Sequence, residues 1–306
     1  MIANWDLDGQ ASASMLIRSG YAEDVFFPSV GYYWLEDIWI DSLSQYDTIY
    51  IVDMYIPRRD VEKLTNTSYI FIIDDSNIHP NYEKLDVSCI CGKVFSTTYT
   101  LMDYLGIEPD IDAILGMYND SGDKIINSEY WDIFSKYLEQ MDLTLKDLDI
   151  LKNYFNSPYY INDLPSLYRN VKLLLDRRYR FSDLPGLKDR LSIIGRKDKY
   201  IRELMERVED LGNKIYLEYY GEMYVISELA TKLSKTYSDK GVIVVDRGFI
   251  PGYSSIAIIS NIDLENHVKY FLENGYPAGG EGKFLGVVVS NDELDVIYEY
   301  IDNYII

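Results

Sequence analysis

The sequence predicts an α/β protein in which an N-terminal doubly wound parallel sheet is joined by a helix to a smaller α/β domain. Short apolar runs alternate with helical segments through the first part of the chain, which is typical of parallel strands covered on both faces. Several of these runs end on an aspartate, and a second alternation begins at Lys214. We therefore divide the chain into a first domain of residues 1–186, a connecting helix of residues 187–213 and a second domain of residues 214–306.

Charge is the strongest compositional signal in the chain. The 306 residues carry a formal net charge of -21, and 47% of them are hydrophobic. The hydrophobic content supports buried cores. The negative surface repels a polyphosphate backbone, which disfavours nucleic acid, single-stranded DNA included, and favours a basic protein partner.

The chain shows no membrane or secretion signal, and its cysteines are few. No apolar run is long enough to span a bilayer and no basic-then-apolar leader opens the sequence, so we expect a cytoplasmic protein without membrane contact. Cys89 and Cys91 are the two cysteines, and on a strand their side chains share one face. A zinc site would need two further ligands, and none stands nearby in sequence, so a structural role is favoured.

The opening stretch places two acids directly after a short apolar run. Asp6 and Asp8 are followed by Gly9 and a helix-compatible segment. If the chain is extended here, the two carboxylates point the same way and suit a hard divalent cation. The alternative is that Asp8 begins a turn and Asp6 caps the next helix.

The remaining elements follow from periodicity. In the first domain the pattern predicts helices at 10–18, 36–43, 58–64, 97–106 and 111–123, and strands at 25–28, 46–53, 68–74 and 89–94. Several helices follow over 129–180, then a linker at 181–186 and a charged, solvated helix at 187–212. The second domain has predicted strands at 215–220, 223–226, 241–246, 254–260 and 286–290, a helix at 264–274 and a final helix.

Three further aspartates end apolar elements of the first domain. Asp53 and Asp74 each close a predicted strand, and Asp120 follows an apolar helix. The carboxyl ends of parallel strands meet at one edge of a sheet, so we expect these acids to share a pocket with Asp6 and Asp8.

This set of motifs resembles the DHH phosphoesterase superfamily. Residues 6–9 (Asp-Leu-Asp-Gly) resemble the first motif of that family, 51–53 (Ile-Val-Asp) the second and 116–122 (Gly-Met-Tyr-Asn-Asp-Ser-Gly) the fourth. The glycine-rich stretch at 279–286 resembles the associated DHHA1 domain. The resemblance implies two bound divalent ions, Mn²⁺ or Mg²⁺, and a substrate held by the glycine-rich stretch. It implies that the metal ligands are Asp6, Asp8, Asp53, Asp74 and Asp120, and that the substrate-binding residues are Gly279, Gly280, Gly282 and Lys283.

The sequence departs from the family at four histidine positions. The third motif of the family ends in Asp-His-His, where this chain has Asp74-Asp75-Ser76. Asn4 and Glu281 stand at two further positions where the family often has histidine. Carboxylates serve manganese or magnesium well, so Asp75 can replace a ligand, whereas Ser76 cannot act as a cation toward phosphate. If the chain is active, Asp53 and Asp75 are the catalytic residues.

Three functions are compatible with this pattern. Within the RecJ-like branch the chain is similar in design to archaeal homologues of cell division control protein 45, which implies a catalytically impaired replication component that binds GINS and the MCM helicase. The alternative is an active manganese-dependent phosphoesterase, acting as a single-strand-specific exonuclease or an oligonucleotide hydrolase. A small-nucleotide phosphatase or nucleotide sensor is the third.

Overall fold

A parallel sheet forms the centre of the first domain. The computed structural model describes residues 1–76, 78–92, 96–107, 110–128, 130–177 and 179–305, except for the side chain of Asp123. The four strands pair in the order β1-β2-β3-β4, all parallel. Their bounds are Ile2–Ala3 (β1), Thr48–Val52 (β2), Tyr69–Asp74 (β3) and Val87–Cys91 (β4).

Helices cover both faces of this sheet, as the continuous apolar runs require. Alternate residues of β2 enter different cores: Ile49 and Ile51 pack with one set of helices, and Tyr50 and Val52 with the other. The helices of this domain that follow the strands are Leu7–Arg18 (α1), Asp37–Leu43 (α2), Arg58–Leu64 (α3), Thr97–Leu105 (α4) and Ile111–Ser121 (α5).

The strand predicted at 25–28 is wrong, but this segment lies beside β1, at the point where the strand order of the sheet reverses. It is reduced to a single parallel bridge between Phe26 and Ile2, because Pro28 has no N–H to continue a ladder. Phe26 lies beside β1, and β2 also pairs with β1, so strand order reverses at β1. The doubly wound prediction is confirmed, and such a reversal opens a crevice at the carboxyl ends of the strands.

A helical layer leads from the first sheet to the second. Its helices are Trp131–Met141 (α6), Leu145–Asn156 (α7), Leu164–Leu175 (α8) and Leu187–Met205 (α9). The predicted linker at 181–186 contains a short 3-10 turn, Phe181–Asp183. The predicted solvated helix ends at Met205 and buries one face through Ile194, Ile201 and Leu204. Apolar residues at helical spacing occur between the charged residues of this segment, which is why one face of the helix is buried where a fully solvated helix was predicted.

The second domain contains a mixed sheet in the order β5-β6-β7-β8-β10-β9. Its strands are Glu209–Asp210 (β5), Lys214–Tyr219 (β6), Gly241–Asp246 (β7), Tyr253–Ile259 (β8), Ala278–Gly279 (β9) and Phe284–Ser290 (β10). Its helices are Ile226–Thr236 (α10), Glu265–Glu273 (α11) and Leu294–Tyr304 (α12). The strand predicted at 223–226 is wrong: Val225 and Ile226 begin α10 and bury their side chains there.

The two domains contact each other around the carboxyl edge of the first sheet. Ile78, in the loop after β3, packs in the core of the second domain. A Cβ atom on Gly279 would lie 2.8 Å from the ring of Tyr55, so this strand end approaches the first domain closely. None of the helices in the described ranges is long and apolar enough to cross a membrane.

Candidate metal centre and interdomain crevice

The opening acids lie at the start of a helix. Asp6 caps α1, with its Oδ1 accepting a hydrogen bond of 3.1 Å from the backbone N–H of Gly9. Asp8 is fully buried in the first turn. Of the two arrangements considered for these acids, the helix cap is confirmed for Asp6, and the extended one is wrong because β1 ends at Ala3. A Cβ atom on Gly9 would lie 2.5 Å from the carbonyl oxygen of Asn4, which explains the glycine after the second acid.

Asp8 is held by the N-terminus of α4. Its Oδ2 and Oδ1 accept hydrogen bonds of 2.7 Å and 3.0 Å from the backbone N–H groups of Thr97 and Thr98. The first N–H groups of a helix have no intrahelical partner and carry partial positive charge, so they suit a carboxylate. Burial, followed by repulsion from Asp6, nevertheless raises the pKa of Asp8 to about 7.

Asp53 lies directly after β2 in a left-handed backbone conformation, with φ of 57°. Such a conformation is uncommon outside glycine and recurs at functional sites. Its carboxylate accepts hydrogen bonds from Asn4 Nδ2 at 3.2 Å and from Thr97 Oγ1 at 2.8 Å. Burial, followed by repulsion from Asp6 and Asp8, raises its pKa well above the usual range.

The third motif contributes two adjacent carboxylates. Asp74 ends β3 and is buried, and its Oδ1 accepts a hydrogen bond of 2.8 Å from the N–H of Ser76. The N–H of Asp75 donates to Thr97 Oγ1 at 3.2 Å. Burial, then repulsion from Asp75, raises the pKa of Asp74. Burial also raises the pKa of Asp75, to about 6.

Asp120 is in the last turn of α5, and Asn119 connects it to the opening motif. Asn119 Nδ2 donates to Asp6 Oδ2 at 2.8 Å and to Asp120 Oδ1 at 3.0 Å. Asn156 Nδ2 in turn donates to Asn119 Oδ1 at 2.8 Å. Asp120 is exposed as a residue, but its carboxyl group is close enough to Asp8 for the two to interact. Burial of that group, followed by repulsion from Asp8 and Asp6, raises its pKa.

The structure thus gathers the predicted acids into one region, which we call the aspartate cluster. The cluster consists of Asp6, Asp8, Asp53, Asp74, Asp75 and Asp120. Within the described residues, no lysine, arginine or histidine forms an ion pair with any of them. Lys152 lies at the edge, where its Nζ donates to the carbonyl oxygen of Asn119 at 2.5 Å.

The cluster fits a hard divalent cation in its donor chemistry. Carboxylate oxygens are the ligands that Mg²⁺ and Mn²⁺ prefer, and buried carboxylates without a counter-charge repel one another. In the described part of the chain, three ligand atoms within 4.8 Å of one another are found at His79, Cys89 and Cys91, and not among the aspartates.

A crevice of about 300 Å³ separates the cluster from the second domain. Asp53, Asp74 and Asp75 line it on one side, and Gly279, Gly280 and Glu281 on the other. Gly280 has φ of 146°, and a Cβ atom there would lie 2.2 Å from the carbonyl oxygen of Phe284, so the position requires glycine. None of the described residues lining this space is a lysine, an arginine or a histidine.

The structure separates the residues predicted to bind substrate into two groups. Gly279 and Gly280 line the crevice, whereas Gly282 and Lys283 lie outside its wall. The backbone of the second pair instead supports the fold: Gly282 O accepts from the N–H of Leu264 at 2.6 Å, and Lys283 O from the N–H of Ser260 at 3.1 Å. Their role in binding remains a prediction.

Sequence reasoning missed the neutral residues that hold the acids. Asn119 lies inside the stretch that resembles the fourth motif but was given no role, and Asn156 had no periodic or motif signal. Thr97 was predicted only as a helix start. Their roles depend on contacts between residues far apart in the chain, which periodicity does not report.

Comparison of the fold with solved structures gives consistent neighbours. RecJ from Thermus thermophilus in complex with Mn²⁺ aligns over 99% of this chain and 51% of its own length, with 14% identity and a TM-score of 0.59. Exonuclease RecJ bound to manganese aligns over 99% of this chain and 88% of its own, with 14% identity and a TM-score of 0.59. The chain has the RecJ-like, two-domain DHH fold.

A third neighbour shares that fold. The DHH domain of a protein described as a member of a ribosomal-protein family aligns over 99% of this chain and 85% of its own, with 12% identity and a TM-score of 0.59. No protein-family model and no curated protein sequence matches the chain. This RecJ-like chain spans about half the length of the Thermus RecJ that it matches.

Proposed function

We propose that this RecJ-like chain binds divalent cations but is catalytically impaired, and that it serves as a protein-binding component of the DNA replication machinery. The observation that carries the proposal is the charge of the crevice. Its described lining contains Asp53, Asp74, Asp75 and Glu281 and no basic residue. Among these described lining residues, a nucleotide phosphate meets carboxylates and no lysine, arginine or histidine, which disfavours binding.

The aspartate cluster is the proposed cation site, for Mn²⁺ or Mg²⁺. The ligands would be Asp6, Asp8, Asp53, Asp74 and Asp120, held by the α4 N-terminus and by Asn119. Bound divalent ions lower the pKa of water and neutralise charge on phosphoryl oxygens. In this chain the bound charge would also offset the repulsion between the carboxylates.

The third motif explains the proposed impairment. Asp75 and Ser76 stand where the family has two histidines. Ser76 Oγ accepts a hydrogen bond from Tyr55 Oη at 3.0 Å and one from the N–H of Ile78 at 3.1 Å. A hydroxyl so bound stabilises the loop and carries no positive charge toward a scissile phosphate.

The proposed partners are GINS and the MCM helicase. This part of the proposal rests on the degenerate motifs and on the formal net charge of -21, which favours basic protein surfaces over single-stranded DNA. Binding to purified GINS and MCM from the source organism, measured as ionic strength increases, is the direct test. Absence of any complex at low salt would contradict it.

One observation favours a second candidate, an active manganese-dependent phosphoesterase acting on single-stranded nucleic acid or oligonucleotides. The cluster keeps every predicted aspartate, and burial followed by mutual repulsion raises the pKa values of Asp8, Asp53, Asp74 and Asp120. Burying several carboxylates that repel one another destabilises the fold, and a protein that acts only as a scaffold gains nothing from it. In this candidate Asp53 and Asp75 are the catalytic residues.

A manganese titration separates the two candidates. Wild type, Asp53→Asn and Asp103→Asn are incubated with single-stranded DNA, single-stranded RNA and short oligonucleotides. Asp103 is an exposed aspartate of α4, so its variant is a matched control. We expect cation-dependent thermal stabilisation without turnover. Turnover that Asp53→Asn removes and Asp103→Asn keeps would instead establish the phosphoesterase.

A further inference from the structure

A second set of potential metal ligands lies beside the aspartate cluster. The Sγ atoms of Cys89 and Cys91 and a ring nitrogen of His79 lie within 4.8 Å of one another. Cys91 pairs with Asp74 in the register of β3 and β4, so this set adjoins the crevice without using its aspartates. We call it the thiol-imidazole set.

The two cysteines are paired in a way that adds little to the fold. They are two residues apart on β4, their Cα atoms are 5.4 Å apart, and they form a disulfide. A disulfide stabilises by restricting the unfolded chain, and this effect shrinks with the length of the closed loop. A bridge between residues 89 and 91 therefore restricts almost nothing, and a structural role does not explain it.

His79 has the arrangement of a ligand. Its Nε2 lies 2.9 Å from the carbonyl oxygen of Ser76, which can only accept, so Nε2 carries the proton. Its Nδ1 is buried and has no hydrogen-bond partner among the described residues. Metal-binding histidines characteristically donate the other ring N–H to a backbone carbonyl. Burial also lowers the pKa of His79, which favours the neutral ring.

We propose that, with its disulfide reduced, the chain binds one zinc ion through Cys89, Cys91 and His79. A dithiol reductant delivers two electrons and two protons to the S–S bond and closes to its own disulfide. Zinc then displaces the two thiol protons and is held by two thiolates and an imidazole, ligands that it prefers to carboxylates alone. Three protein ligands leave one position for water.

The test measures zinc binding by the chain in its reduced and disulfide forms. After reduction and anaerobic removal of the reductant, Zn²⁺ is titrated against a chromophoric chelator, and Co²⁺ is added separately to detect thiolate-to-metal absorption. We expect one zinc per reduced chain at this set and none when the disulfide is closed. His79→Ala should weaken zinc binding by at least about tenfold. His267→Ala, which removes the histidine of the second domain, should match wild type.

Two variants keep the test decisive. Cys89→Ser/Cys91→Ser, isosteric on the half-exposed strand β4, should lose the zinc held by this set and the cobalt absorption while keeping wild-type circular dichroism. Asp53→Asn should keep both, because it alters only the aspartate cluster. Zinc binding in the double variant equal to wild type, or loss of the cobalt absorption in Asp53→Asn, would overturn the proposal. If His79→Ala does not fold, His79→Gln replaces it.

Discussion

At the scale of single residues, the site is built from acids held by neutral neighbours. Asp53 is the clearest case, because its strained backbone and its contacts with Asn4 and Thr97 fix one orientation. Strain at such a position persists only when surrounding contacts over-determine it. The carboxylate is therefore oriented before any cation arrives.

Asp53→Asn tests whether that carboxylate serves the cation or the fold. Asparagine tolerates the left-handed conformation, so the backbone is preserved. Without metal we expect the variant to be more stable than wild type at pH 8, by about 1 kcal/mol, because one repelling charge is removed. Manganese should then stabilise wild type and leave the variant nearly unchanged. Urea unfolding with and without Mn²⁺ measures both effects, and a variant less stable than wild type without metal would contradict this account.

A second buried acid, outside the cluster, predicts a pH dependence. Burial raises the pKa of Asp112 to about 6 from 3.8, although Arg18 Nη1 lies 2.5 Å from its Oδ2. The folded state thus binds a proton more tightly than the unfolded state, and stability from this group is gained as pH falls through 6. The shift corresponds to at most about 3 kcal/mol.

The prediction for Asp112 is tested by comparing how steeply the free energy of unfolding changes with pH in wild type and in Asp112→Asn. The free energy of unfolding of wild type should fall as pH rises from about 4.5 to about 6.5. Asp112→Asn should show a shallower fall, since the cluster contributes equally to both proteins. Equal slopes would mean that the pKa of Asp112 is not raised in the folded state.

At the scale of secondary structure, two helices determine the position of Asp8. The N-terminus of α4 donates to its carboxylate, and α5 packs against it at Gly116. A Cβ atom on Gly116 would lie 2.4 Å from Asp8 Oδ1 and 2.4 Å from Thr98 Oγ1. The glycine of the fourth motif is thus a packing requirement of the buried acid.

Gly116→Ala and Gly195→Ala form a matched pair. We expect Gly116→Ala to destabilise the protein by about 1–3 kcal/mol through overpacking and to weaken manganese binding. Gly195 lies inside α9, and an added Cβ atom meets nothing within 4 Å. Gly195→Ala should therefore stabilise by about 0.5–1 kcal/mol through helix propensity. Thermal unfolding measures both, and equal effects would refute the packing argument.

Strands with continuous apolar runs were the predictable elements. Residues 48–52 and 69–74 form the strands expected from Ile, Val and Phe content, whereas 223–226 has similar composition and starts a helix. A short apolar run does not distinguish a strand from a buried helix start. The same ambiguity left two arrangements open for Asp6 and Asp8, and the helix cap is the one that Asp6 adopts.

At the scale of the whole molecule, the formal net charge is -21, and the crevice between the domains is also lined by negative charge. Glu281 from the second domain faces the aspartates of the first across the cavity, and its charge contributes to raising the pKa of Asp75. The two domains thus combine into one acidic space, which is the physical basis for the proposed impairment.

Glu281→Lys should partly reverse that electrostatic barrier. With Mn²⁺ present we expect the variant to bind a nucleoside monophosphate about fivefold more tightly than wild type, corresponding to about 1 kcal/mol. Glu203→Lys makes the same charge change on an exposed position of α9, where salt screens it. Calorimetry at low and high salt measures the affinities. An equal gain in both variants would assign the effect to net charge and not to the crevice.

The acids of the site were predictable, and their surroundings were not. Each aspartate follows an apolar element, a pattern that one sequence displays. Asn156 and His79 lie near their targets only because α7 and the loop after β3 fold back on the sheet. Such contacts follow from tertiary packing, which local patterns do not specify.

The anchoring of Ile78 has a mechanical consequence. Its side chain belongs to the core of one lobe, while its backbone continues directly from the acids of the other. We expect a partner that tilts the second domain to pull on Ile78. This pull would move Asp75, which precedes it in the chain, and His79, which follows it. Binding of a partner at a distant surface would then shift the ligands of any ion bound in the first domain.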